Sequence, residues 1–203
     1  QMNARAAQLG MENTHFVNCT GLDDDPKAAE HRTSAYDIAL MSRELMVKHP
    51  DIRRFTTVWM DTLRNGESQL VNTNKLVRQY EGATGLKTGT TQKAGHCLAA
   101  TAEREGIAFV AVILGCDSTD ERFGGARAML DYGFANFALV TPQMESNYSV
   151  PVQLGTEKQV KAIPAEEPKL LIDKSQRDQV TTEITLEEGV NAPVSQGQRL
   201  GTL

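Results

Sequence analysis

Residues Gly82-Ala83-Thr84-Gly85-Leu86-Lys87-Thr88-Gly89-Thr90-Thr91, with the two runs that follow, set the architecture of this chain. Glycines punctuate the approach to Leu86, and residues 86–91 are expected on a strand at a sheet edge. Gly95 to Glu103 and Ile107 to Gly115 read as two more strands, joined by a tight turn at Arg104-Glu105-Gly106. The run from Ile107 to Leu114 is apolar on both faces, which predicts a central strand with helices above and below.

Downstream, Asp117, Ser118 and Thr119 offer N-caps and Asp120 and Glu121 load a first helical turn with negative charge. Phe123, Ala126, Leu130, Phe134 and Phe137 then form one apolar stripe, read as core packing against the sheet and not as a ligand box. Upstream, Thr33 or Ser34 caps a helix to about Lys48 with Ile38, Met41 and Leu45 at helical spacing and Ala39, Ser42 and Met46 beside them, and Pro50 stops it. A short helical piece is expected over residues 51–55. A strand is expected over 56–63, turning at Asn65-Gly66 into a return strand from Ser68 to Val71. Past Pro142 the texture changes to short alternating runs, such as Val150, Val152, Leu154 and Val180, Thr182, Ile184, Leu186. This predicts a separate β domain beyond a linker at 141–147, giving domains 1–142 and 146–203.

The ends look interior to a longer chain. Gln1 to Leu9 reads as a helix already under way and stopped by Gly10, while residues 201–203 read as the first step of a strand. With 203 residues and 40% apolar content the chain can bury an ordinary core. Its formal charge is -5, from 21 basic and 26 acidic residues without a basic cluster interleaved with aromatics, so nucleic acid is excluded as a partner. Cys19, Cys97 and Cys116 lack C-x-x-C spacing, and His15, His31, His49 and His96 show no ligand-like spacing. They are read as unpaired thiols and surface or capping histidines, and no metal or cofactor is expected. Asp23, Asp24 and Asp25 lack the glycine and glutamate of a calcium loop and read as a solvated loop.

Lys87-Thr88-Gly89 is the one candidate for catalytic chemistry, and by itself a tripeptide is weak. Its surroundings strengthen it. Asn72-Thr73-Asn74-Lys75-Leu76, Tyr80-Glu81-Gly82, residues 85–91 and Ala94-Gly95 resemble the corresponding stretch of serine D-alanyl-D-alanine carboxypeptidases, the low-molecular-mass penicillin-binding proteins. The same holds for Leu9-Gly10-Met11, Asn13-Thr14-His15-Phe16, Gly21-Leu22 and residues 33–39, in the family's order.

The resemblance implies an α+β chain. The later part of a penicillin-binding-protein/β-lactamase-like transpeptidase fold, an antiparallel sheet with helices, would be followed by a small all-β domain. It implies acyl transfer in which a serine attacks the D-Ala-D-Ala carbonyl and water frees the peptide. Lys87 would then supply charge and proton-network contacts, and the Thr88 hydroxyl would bond the terminal carboxylate. Gly89 would let the substrate backbone lie close. The Thr90 N–H would serve the oxyanion, and Arg122 would pair with the carboxylate. The plainer reading of Arg122 is a helix-face arginine paired with Asp120 or Glu121. The implied partners are the peptidoglycan stem peptide and β-lactam antibiotics, outside the cytoplasm, on the outer face of the cytoplasmic membrane or in the periplasm.

Two features depart from the family pattern. Cys19 stands where a proline is usual, and no serine is followed by lysine at the third position or begins a Ser-x-Asn. Thr84 has the spacing to Lys87, but that lysine belongs to the other motif. The nucleophile, its base and one oxyanion donor are therefore expected on an amino-terminal segment, or another chain, that completes the sheet. Two alternatives stay open: a class A β-lactamase fragment, disfavoured by the added β domain, and a non-catalytic module binding cell-wall peptide or a protein.

Overall fold

The computed structural model describes every residue except Asp25, Gln143, Glu145 and Ser146. Asp25 of the acidic loop and part of the 141–147 linker thus lie outside the described residues. The chain divides into two compact units, Gln1–Ala135 and Asn136–Leu203.

In the first unit, helix α1 (Met2–Gln8) closes with the Gly10 N–H on Ala7 O and the Met11 N–H on Ala6 O, both with glycine at φ 74°. This pairing satisfies the last carbonyls and explains the stop at Gly10. Helix α2 (Ala35–Lys48) begins at Ser34, whose hydroxyl accepts the Asp37 N–H at 3.1 Å. Its buried line is Asp37, Ser42 and Met46, the expected face shifted toward Ser42 and Met46 and extended to Asp37, and Met41 is exposed. The reason is a polar anchor: the Asp37 carboxylate accepts Thr14 Oγ1 at 2.7 Å and the Asn13 N–H at 2.9 Å. Burial without those partners would be costly, so the helix turns to meet them. The Thr14 hydroxyl, with Ser34 and the Asn13 amide, holds the Asp37 carboxyl below its ordinary value against the opposing effect of burial.

Helix α3 (Arg53–Thr56) takes in Thr56, so the extended segment expected from 56 starts only at β1 (Met60–Leu63). Thr56 Oγ1 donates to Thr84 O at 2.6 Å, a bond that fixes the helical end in place. β1 pairs antiparallel with β2 (Ser68–Val71) across Arg64, Asn65 and Gly66, all at positive φ. A one-turn helix, α4 (Leu76–Gln79), follows.

β3 (Ala83–Thr91), β4 (Gly95–Arg104) and β5 (Ile107–Cys116) form an antiparallel sheet in the order β3-β4-β5. Among the described residues β4, buried from Leu98 to Ala102, is paired on both sides, and β5 becomes interior only with the strands expected from a completing segment. Among the described residues β5 pairs only with β4, and Leu114 is partly exposed. An apolar pattern reports that faces are covered and says nothing about whether edges are paired.

Helix α5 (Thr119–Asn136) starts at Ser118, whose Oγ accepts the Glu121 N–H at 3.2 Å. Phe123, Ala126 and Leu130 seal against Leu76, Leu98, Ala100, Ala102 and Ala111. Leu76, Leu98 and Leu130 are almost fully buried, and each contributes about 2–3 kcal/mol of burial. Phe137, expected on this helix stripe, lies past its end.

The second unit contains β6 (Phe137–Val140), β7 (Ser149–Gln153), β8 (Gln159–Lys161), β9 (Leu170–Asp173), β10 (Thr185–Leu186), β11 (Val190–Asn191) and β12 (Gly201–Thr202). β6 pairs with β9, β7 lies between β8 and β11, and β10 pairs with β12. Val150 is its fully buried anchor. Of the alternating run 180–186 only the last two residues are strand, because Val180 closes a 3-10 turn that Asp173 caps through the Ser175 N–H at 2.8 Å.

Candidate active site

The site grows from one end of β3. Thr88 lies opposite Leu98 and Thr90 opposite His96. Cross-strand partners share a face, so both threonines stand on the side where Leu98 packs under α5. Lys87 and Gly89 alternate to the other side, opposite Ala99 and Cys97.

The first turn of α5 brings Arg122 to this strand. Its side chain is buried, at 5% exposure, and Nη1 donates to Gly89 O at 3.3 Å, Thr90 Oγ1 at 3.3 Å and Cys97 O at 3.2 Å. Phe123 lies under the guanidinium at 4.8 Å. The plainer alternative, pairing with Asp120 or Glu121, does not form among the described residues, and the Glu121 carboxylate instead accepts the Asp117 N–H at 3.1 Å. Arg122 Nε has no hydrogen-bond partner. A buried cation held by carbonyls and hydroxyls without a counter-ion favours an anion nearby.

Around this cation the hydroxyls are linked. Thr90 Oγ1 donates to Gly89 O at 2.8 Å, and His96 Nδ1 lies 3.4 Å from both Thr90 Oγ1 and Thr119 Oγ1. Thr88 Oγ1 lies 2.6 Å from Thr73 Oγ1. Lys87 stands apart from this cluster, exposed, with Nζ donating to the carbonyl of Thr88. A Cβ at Gly89 would meet no atom of the protein, and its φ is not positive, so neither packing nor backbone geometry asks for glycine there.

The turn after β3 is tied down by Asp23, which accepts the Lys93 N–H at 3.1 Å. That amide, with the Thr91 hydroxyl, holds the Asp23 carboxyl below its ordinary value. The five expected site residues are thus accompanied by Thr73, His96 and Thr119, to which the sequence assigns no part in the site. Thr73 lies inside the family-like block 72–76, Thr119 reads as an N-cap, and His96 as a surface or capping histidine.

A sequence profile of D-alanyl-D-alanine carboxypeptidases matches residues 1–118. The chain belongs to that family. The carboxyl-terminal domain profile of penicillin-binding protein 5 matches residues 140–203. DacF of Bacillus subtilis, a D-alanyl-D-alanine carboxypeptidase, is 36% identical over all of this chain and 52% of its own length. Among solved structures, the peptidoglycan synthesis regulatory factor penicillin-binding protein 3 of Streptococcus pneumoniae superposes with a TM-score of 0.74 at 28% identity, covering 98% of this chain and 60% of that one. Penicillin-binding protein D2 of Listeria monocytogenes, solved with cefotaxime bound, is 35% identical with a TM-score of 0.60 over 66% of this chain and 53% of its own. As in these carboxypeptidases, the fold is α+β with a small β domain. The chain spans about half the length of the curated relatives it matches.

Proposed function

We propose that Lys87, Thr88, Gly89, Thr90 and Arg122 form the carboxylate-binding half of a serine D-alanyl-D-alanine carboxypeptidase site. The nucleophile would come from a segment outside these residues. The observation that carries this reading is the buried Arg122 guanidinium, bonded across Gly89 and Thr90 and without a carboxylate partner among the described residues. In this reading residues 1–142 are the later part of the catalytic domain and 146–203 the carboxyl-terminal β domain.

The terminal carboxylate of a peptidoglycan stem peptide sits against the Thr88 hydroxyl and the charge of Arg122, while Gly89 lets its backbone approach the strand. A serine oxygen, its proton taken by a neighbouring base, adds to the D-Ala-D-Ala carbonyl, and the oxyanion collects on backbone amides including that of Thr90. D-Alanine leaves as a protonated amine, and water then releases the shortened peptide from the ester. Lys87 adds positive potential and a proton-network contact. β-Lactams enter as mimics of the same peptide. The open side of β5 is where the nucleophile-bearing segment or another chain adds strands, since an apolar edge left bare invites association. The reaction takes place outside the cytoplasm, on the outer face of the membrane or in the periplasm.

Labelling with a fluorescent penicillin tests this. The 203-residue chain alone is expected to stay unlabelled, because no serine is followed by lysine at the third position. The same sequence joined to the coding sequence upstream of it is expected to label at a Ser-x-x-Lys serine and to lose labelling with Lys87→Ala. Labelling of the isolated chain, or an upstream sequence without such a serine, defeats the proposal.

A further inference from the structure

The Thr73 hydroxyl is held beside that of Thr88. Asn72 Nδ2 donates to Thr56 O at 3.3 Å and Val58 O at 2.9 Å, and Asn72 Oδ1 accepts the Asn74 N–H at 2.9 Å. Asn74, itself buried, accepts the Leu76 N–H through its side chain at 3.2 Å, and Leu76 is wholly buried. This run of side-chain bonds fixes the backbone on both sides of Thr73. Thr73 itself is exposed, and its hydroxyl lies 2.6 Å from that of Thr88, which is half-buried. Two hydroxyls open to water lose little by bonding water instead, so the contact is not needed to hold the turn.

The pair has two proton arrangements. If Thr88 donates to Thr73, the lone pairs of Thr88 face outward and repel an anion. If Thr73 donates to Thr88, the Thr88 proton is free to point at an acceptor, and each bond polarises the next. A carboxylate only accepts, so it selects the second arrangement. We infer that Thr73 is a positioning residue that makes Thr88 a hydrogen-bond donor to carboxylate-ended peptides, a two-hydroxyl relay running from the 72–76 turn to the ligand. The inference rests on the carboxylate-site reading above, and no bond beyond hydrogen bonds is made or broken in it.

The test uses the 203-residue chain with ¹³C-methyl threonine, titrated with N-acetyl-D-alanyl-D-alanine and followed at Thr88 and Thr90. Removing the relay's first hydroxyl with Thr73→Val is expected to weaken binding about fivefold at an unchanged unfolding midpoint. Thr73→Ser, which restores a hydroxyl, is expected to recover the parent affinity. Thr73→Ala replaces the valine variant if that one fails to fold. Equal affinity in Thr73→Val and parent overturns the relay and leaves the carboxylate site standing, as does a loss that Thr73→Ser does not rescue. No shift at Thr88 in the parent removes the carboxylate site and the relay with it.

Discussion

Gly82 lies just before β3 and Gly89 within its last three residues, and the chain treats them oppositely. At Gly82 a Cβ would lie 2.4 Å from Glu103 O, and φ is 76°, so the fold itself demands glycine. At Gly89 a Cβ would meet nothing. The side chains repeat the contrast. Near Gly82, Arg104 lies between the rings of Tyr80 and Phe134 at 4.6 and 4.5 Å and donates to Glu81 O at 3.1 Å, while Tyr80 donates to Asp131 at 2.7 Å. Near Gly89, Arg122 keeps an unpartnered Nε, and Lys87 and Thr90 face solvent. One helix, α5, serves both ends, supplying Asp131 and Phe134 to the closed end and Arg122 to the open one. Groups whose partners all lie within the chain hold the fold, and groups left with spare bonding capacity are free to hold something else.

The glycines break or sharpen this contrast most. Gly82→Ala combines a left-handed backbone with a clash against a carbonyl and is expected to destabilise by about 3 kcal/mol in urea unfolding. Gly89→Ala is expected to change stability by less than about 0.5 kcal/mol. In the complete enzyme, however, it should slow penicillin acylation about a hundredfold, through displacement of the ligand. Equal destabilisation by both would erase the difference between the two ends.

Next in size is Arg104→Ala, which removes two cation–ring contacts and a carbonyl bond and should cost about 2 kcal/mol, read by the same unfolding curves. Among the closed-end side chains the smaller effect is expected for Tyr80→Phe, about 1 kcal/mol at neutral pH. Burial first, and then the bond to Asp131, push the Tyr80 phenol up from 10.0 to about 12. Because the folded value is raised, the neutral phenol's contribution is complete below pH 10 and fades as pH rises toward about 12. Wild type should therefore lose its advantage over Tyr80→Phe across that window, and a constant gap would show that the phenol is not held by its neighbours.

What could be read from residues alone was local. Thr33-Ser34 and Asp117-Ser118-Thr119 announced helix starts, with the structure choosing Ser34 and Ser118, while Gly10 announced a stop, Asn65-Gly66 a hairpin and Arg104-Glu105-Gly106 a turn, because capping and turn chemistry act within a few residues. The motif blocks around Lys87-Thr88-Gly89 were equally legible, since their order along the chain carries the family. The tertiary structure decided everything that depends on distant partners. It buried Asp37 on α2 because Thr14 and Asn13 wait there, and it left β5 paired with β4 alone among the described residues. It ended α5 before Phe137, which pairs with Asp173 instead. It also set Thr73 beside Thr88 and brought His96 and Thr119 to Thr90, contacts between segments that no periodicity links. Hydrogen bonds across such separations depend on where packing leaves the backbone, and that is written in no single stretch of sequence.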